Sequence, residues 1–124
     1  MQRPHEAYSQ VAKSTVVDPR EFDASILLKA AGRFQRIRDE WADGNRKELS
    51  AALLYNRKIW TIYATSVVEE SNPLPREIRQ NLANLAVFIF KHTINVEISP
   101  APDMLDVLIN INRNIAAGLL QKPA

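Results

Sequence analysis

A chain of 124 residues, 46% of them hydrophobic, holds one domain with a core of its own, 1–124, and leaves little for a second. Sixteen basic residues against fourteen acidic ones give a net charge of +2, a mixed surface rather than the clustered basic footprint of a nucleic-acid binder. With no cysteine, disulfides and thiolate chemistry are excluded, which suits a reducing compartment.

In chain order, the opening Met1-Gln2-Arg3-Pro4-His5-Glu6 lacks the apolar h-region of a secretory signal. The longest apolar stretch, Leu82 to Phe90, is interrupted by Asn84 and falls far short of the roughly 18 residues of a membrane span. These features lead us to expect a soluble cytoplasmic protein. Ala7, Tyr8, Val11 and Ala12 are spaced for a short helix with few apolar contacts to hold it, so residues 1–17 are expected as a mobile N-terminal arm.

Asp18-Pro19-Arg20-Glu21 reads as a helix start, with Asp18 as N-cap, Pro19 at the first helical position and Glu21 reaching back in a capping box. Phe22, Ile26, Ala30, Phe34, Ile37 and Trp41 then recur at helical spacing until Asp43-Gly44 supplies a stop. Gly32, unfavourable inside a helix, suggests a close helix crossing. Asn45 and Glu48 repeat the capping pair and open a second helix, expected to end near Glu70. Its inner face is Leu49, Leu53, Asn56, Trp60, Tyr63 and Val67, where Asn56 puts an amide in a row of hydrophobes. A buried amide needs partners or costs about 1–3 kcal/mol.

Ser71-Asn72-Pro73-Leu74-Pro75 breaks the chain, and Pro75 is expected at the first position of a third helix carrying Ile78, Leu82, Leu85, Ile89, His92 and Val96. Ser99-Pro100-Ala101-Pro102 ends it. A fourth helix carries Leu105, Leu108, Ile111, Ile115 and Leu119, interrupted by Asn110, Asn112 and Arg113. No stretch shows sustained alternation of apolar and polar residues, so the expected fold is an all-α bundle of four main helices plus the arm. Asn56, His92 and Asn112 are expected to meet as one buried polar cluster.

Catalytic equipment is missing. Neither His5 nor His92 has a ligand-type residue three or four positions on, and three isolated glycines build no phosphate loop. The reading is therefore a non-enzyme without metal or cofactor. The basic residues Lys29, Arg33, Arg36, Arg38, Arg46 and Lys47 form the best RNA-binding candidate, but Asp39 and Glu40 are placed to pair with Arg36, and a self-paired solvated face is favoured.

Several blocks in order resemble the flagellar biosynthesis regulator FlaF family of bacteria over nearly the whole chain. They are Tyr8, Pro19-Arg20-Glu21-Phe22, Leu27-Leu28-Lys29-Ala30-Ala31, Tyr55-Asn56-Arg57-Lys58-Ile59-Trp60, Asn72-Pro73-Leu74-Pro75, Ile78-Arg79, Asn84-Leu85-Ala86, His92-Thr93 and the run from Leu108 to Leu119. The resemblance implies a small helical protein needed for making or exporting flagellin. It would act beside a regulator of flagellin messenger RNA, FlbT, and contact flagellin as a secretion chaperone or adaptor. A helical adaptor would offer a groove to an amphipathic flagellin terminal helix. Tyr8, Trp41, Trp60 and Tyr63 are the candidate aromatic anchors, with Arg57, Lys58 and Arg113 flanking the groove. For Trp60 and Tyr63 core packing is favoured over this role, and Trp41, close to a helix end, is the less certain core member. Two other classes stay open: an RNA-binding regulator of flagellin messenger RNA, and a structural homodimer or partner adaptor using a stripe such as Ile78–Val96.

Overall fold

The computed structural model describes residues 18–44 and 46–121. Among them lie four α-helices and no strand: α1 (Pro19–Asp39), α2 (Arg46–Val67), α3 (Arg76–Ile98) and α4 (Leu105–Leu120), with 3₁₀ turns at Trp41–Asp43 and Pro102–Met104. The fold is all-α, as the periodicity led us to expect. The expected arm, Tyr8 included, and the Asn45 cap lie outside the described residues.

Each boundary has a local cause. The Asp18 carboxylate accepts the Arg20 N–H at 2.8 Å, a cap of the kind that contributes about 1 kcal/mol. α1 stops at Asp39 rather than running on to Trp41, because the Glu40 N–H closes the last turn on the Arg36 carbonyl and the chain tightens into the 3₁₀ turn. Gly44, at φ 67°, then reverses the chain in the left-handed region that disfavours other residues. α2 ends at Val67, short of Glu70, and Pro75 caps α3 instead of entering it. The Asn72 amide nitrogen donates to the Ser66 carbonyl at 3.1 Å while its oxygen accepts the Leu74 N–H at 2.9 Å, an Asx turn ahead of Pro75. Arg79 reaches back to the Val67 and Glu69 carbonyls at 3.5 and 3.3 Å, supplying the positive charge that α2 lacks in its own last turn.

Contacts between helices set the architecture. α1 packs most extensively on α4, α2 on α3, and α1 less closely on α2. α1 and α4 run antiparallel, with Arg38 near the end of one meeting Asp106 near the start of the other, and so do α2 and α3, with Arg79 meeting Val67; α1 meets α2 where Arg33 lies over Tyr55. Leu27, Phe34, Leu53, Trp60, Ile89, Val96, Leu105 and Leu108 are fully buried.

The buried line on α1 differs from the expected one. It runs through Ala24, Leu27, Ala30, Ala31, Phe34 and Ile37, leaving Phe22, Ile26 and Trp41 half-buried at its edge. Small side chains explain the offset, since Ala24 and Ala31 on α1 and Ala116 on α4 are all buried and let the two helices approach. Gly32 takes no part: it is exposed, and a side chain there would meet open space. No described helix is long and apolar enough to cross a membrane.

Candidate functional site

The amide on α2 finds its partner on α4. The Trp60 indole can only donate, and its Nε1–H gives a hydrogen bond to the Asn112 side-chain oxygen at 3.0 Å. That fixes the orientation of the Asn112 amide, whose nitrogen donates to the Asn56 oxygen at 2.7 Å. Trp60, Asn56 and Asn112 are all fully buried, and the Asn56 nitrogen has no partner. The Tyr63 ring meets Trp60 edge-on, with centroids 5.3 Å apart. Burial, reinforced by the Asp23 carboxylate, pushes the Tyr63 phenol up to about 12.

His92 does not join this cluster. Its Nε2 donates to the Met104 carbonyl at 2.7 Å while its ring stacks on Phe88, so it ties α3 to the 3₁₀ turn before α4. The reason is rotational: His92 sits three residues beyond Ile89 and is carried round toward the α3–α4 connection. The buried polar residue of α3 that faces the core is its neighbour Thr93.

The aromatic candidates divide by exposure. Trp60 takes the favoured core role and not that of an interface anchor, since no part of it reaches solvent and its indole nitrogen is bonded inside. Tyr63 is half-buried beside it. Trp41, also half-buried, lines an open cavity of about 460 Å³ with Arg36, Ile37, Glu40, Leu49 and Pro100. Arg57, Lys58 and Arg113 are exposed, with Arg113 3.5 Å from the Gln35 side-chain oxygen.

Much of the basic run on α1 is engaged internally. Lys29 and Arg33 lie over the Tyr55 ring at 5.8 and 5.3 Å from its centroid, cation–π contacts that tie α1 to α2. Arg36 pairs with Glu40 at 3.5 Å, the i, i+4 pairing its spacing suggested. Arg38 holds Asp106 with two nitrogens, and the bond keeps that carboxyl below the usual carboxylate range.

The stripe Ile78–Val96 offered as an exposed partner surface is corrected, since Ile89 and Val96 are buried, and the outward apolar residues lie elsewhere. Leu54 on α2 and Val87, Ile94 and Ile98 on α3 are large apolar residues left exposed. The signal was present as a second apolar spacing on α3, at 87, 94 and 98, hidden by the stronger core rhythm of Ile89 and Val96. Among the described residues no group of His, Asp or Glu is arranged to hold a metal ion.

A family model described as flagellar protein FlaF matches residues 4–119. No curated protein and no solved structure gives a match.

Proposed function

The chain belongs to the FlaF family of flagellar proteins, and from that membership we propose that it is a non-catalytic adaptor that binds flagellin in the cytoplasm before export. Binding would keep an amphipathic terminal helix of flagellin from premature assembly. It would also link flagellin synthesis to secretion, directly or with an FlbT-like regulator. The observation that carries the reading is the row of exposed apolar residues Val87, Ile94 and Ile98 on α3, set among further exposed apolar side chains of the bundle such as Leu54, Ile62 and Val68 on and just after α2. Contiguous exposed apolar residues on a small domain are characteristic of partner binding. A helix laid on a helical surface offers apolar side chains at i, i+3, i+4 and i+7, which such a surface accepts.

Co-purification tests it. The chain is used to capture intact flagellin, flagellin lacking its C-terminal helix, and flagellin messenger RNA. Capture of intact flagellin that is lost with the helix is the expected result. Capture of the messenger RNA alone, weakening steeply with salt as counterion release requires, would replace the adaptor with an RNA-binding regulator.

A further inference from the structure

Apolar residues of α3 lie on two sides of the helix, and the core uses only one. Ile89, Thr93 and Val96 are buried, whereas Val87, Ile94 and Ile98 are 51%, 59% and 75% exposed. Val87, Lys91, Ile94 and Ile98 step by four, three and four residues, so they form one row along the outer side of α3. The outer side of α2 carries Leu54, with Arg57 and Lys58 one turn on. Arg79, near the start of α3, reaches the Val67 and Glu69 carbonyls at the end of α2, so the two helices run antiparallel from that contact. Counting along both from that contact brings Leu54 level with His92–Ile94, and Arg57 and Lys58 level with Phe88–Lys91.

The α3 row contains one exposed cation, Lys91, the neighbouring α2 exposes Arg57 and Lys58, and the one acidic residue next to the row is Glu97 at its far end. Among the described residues, Arg57, Lys58 and Lys91 are exposed and take part in no ion pair. From Val87 to Ile98 the row covers about three helical turns, roughly 16 Å. That length seats three or four anchor side chains of a partner helix, and the cations select what borders those anchors.

We propose that the outer face of α2 and α3 takes an amphipathic helix whose apolar stripe is bordered by Asp or Glu side chains, with Arg57, Lys58 and Lys91 reading that acidic border. The apolar row supplies most of the affinity. The cations set orientation and rate, because exposed ion pairs each add little while steering encounter. The surface rests on the adaptor reading only for the name of the partner.

Synthetic helical peptides with one fixed leucine stripe, bordered by Glu, Gln or Lys, are titrated calorimetrically into the full chain. The Glu-bordered peptide is expected to bind about tenfold more tightly than the Gln-bordered one at low salt, with the Lys-bordered one weakest and the differences shrinking as salt rises. Val87→Asp with Ile94→Asp should abolish binding of all three without loss of helical circular dichroism, since both positions are exposed. Arg57→Glu with Lys58→Glu should turn the preference toward the Lys-bordered peptide. Equal binding of the three peptides, or binding that survives the two aspartates, overturns the proposal. So does self-association of the chain that Ile94→Asp removes, which would assign the row to a second copy. The adaptor reading fails separately: if the peptides bind as expected while flagellin is not captured, the surface stands and that partner falls. If flagellin capture is undiminished by the two aspartates, the adaptor stands and this surface falls.

Discussion

Asn112 serves two partners and Asn56 one, an asymmetry that makes the pair testable residue by residue. Removing the Asn112 amide strands the Trp60 indole N–H and the Asn56 oxygen together in a fully buried site. At about 1–3 kcal/mol for each stranded group, Asn112→Ala should cost clearly more than Asn56→Ala, which strands only the Asn112 nitrogen. Urea unfolding of both variants measures the difference, and an Asn56→Ala loss equal to or larger than that of Asn112→Ala would refute the assignment of Asn112 as the hub. Tyr63 gives a second prediction at this scale. Its folded pKa of about 12 lies above the ordinary value of 10, so the folded state keeps the phenol proton that the unfolded chain gives up. The phenol's contribution to stability is therefore fully present below pH 10 and lost as pH rises toward 12. Tyr63→Phe should remove the highest step of the tyrosinate absorbance titration and flatten the alkaline fall in stability. A wild-type curve already flat over that range would contradict it.

Between helices, the contacts are made by side chains distant in sequence, and this is where reading from sequence reaches its limit. Caps and prolines are local, so Asp18, Gly44, Asn72-Pro73 and Pro100 marked the four helices to within a few residues. The amide in the second helix and the asparagines in the fourth stood out for the same reason, each breaking a periodic row. Which side of α1 would meet α4 was not local: it depends on the residues of both helices together, and Ala24, Ala31 and Ala116 are all buried. His92 was misplaced because a step along a helix face does not tell which neighbour that face meets. The Arg38–Asp106 pair, 68 residues apart, belongs to the same class of contact and yields its own prediction. Arg38 lowers the Asp106 pKa, so the pair's contribution is present above the unfolded carboxylate range and is lost as pH falls through and below about 4. Asp106→Asn should be less stable than the parent at neutral pH, with the two converging in acid. Thermal unfolding across that range decides it, and a gap that persists in acid would show that the pair acts through packing rather than charge.

At the scale of the whole molecule, the packing is unequal. α1 and α4 form the closest pair, while α3 leans chiefly on α2, meets α4 little, and is tied to the 3₁₀ turn before α4 by the His92 bond to Met104. α3 also carries the exposed row of Val87, Ile94 and Ile98, so much of its apolar surface gains nothing from folding. Stability in a small bundle need not be uniform, and the element with the least buried surface opens first. Amide hydrogen exchange under native conditions should therefore find α3 exchanging through a partial opening at least about 1 kcal/mol below the one that exposes α1 and α4. Because α3 also bears the proposed partner surface, a bound helix should raise its protection more than that of α4. If all four helices exchange through one common opening, the bundle is a single cooperative unit and the unequal packing has no energetic consequence. If α4 opens before α3, the closest pair in the structure is not the most stable one, and Arg38–Asp106 together with the buried alanines contributes less than their geometry implies.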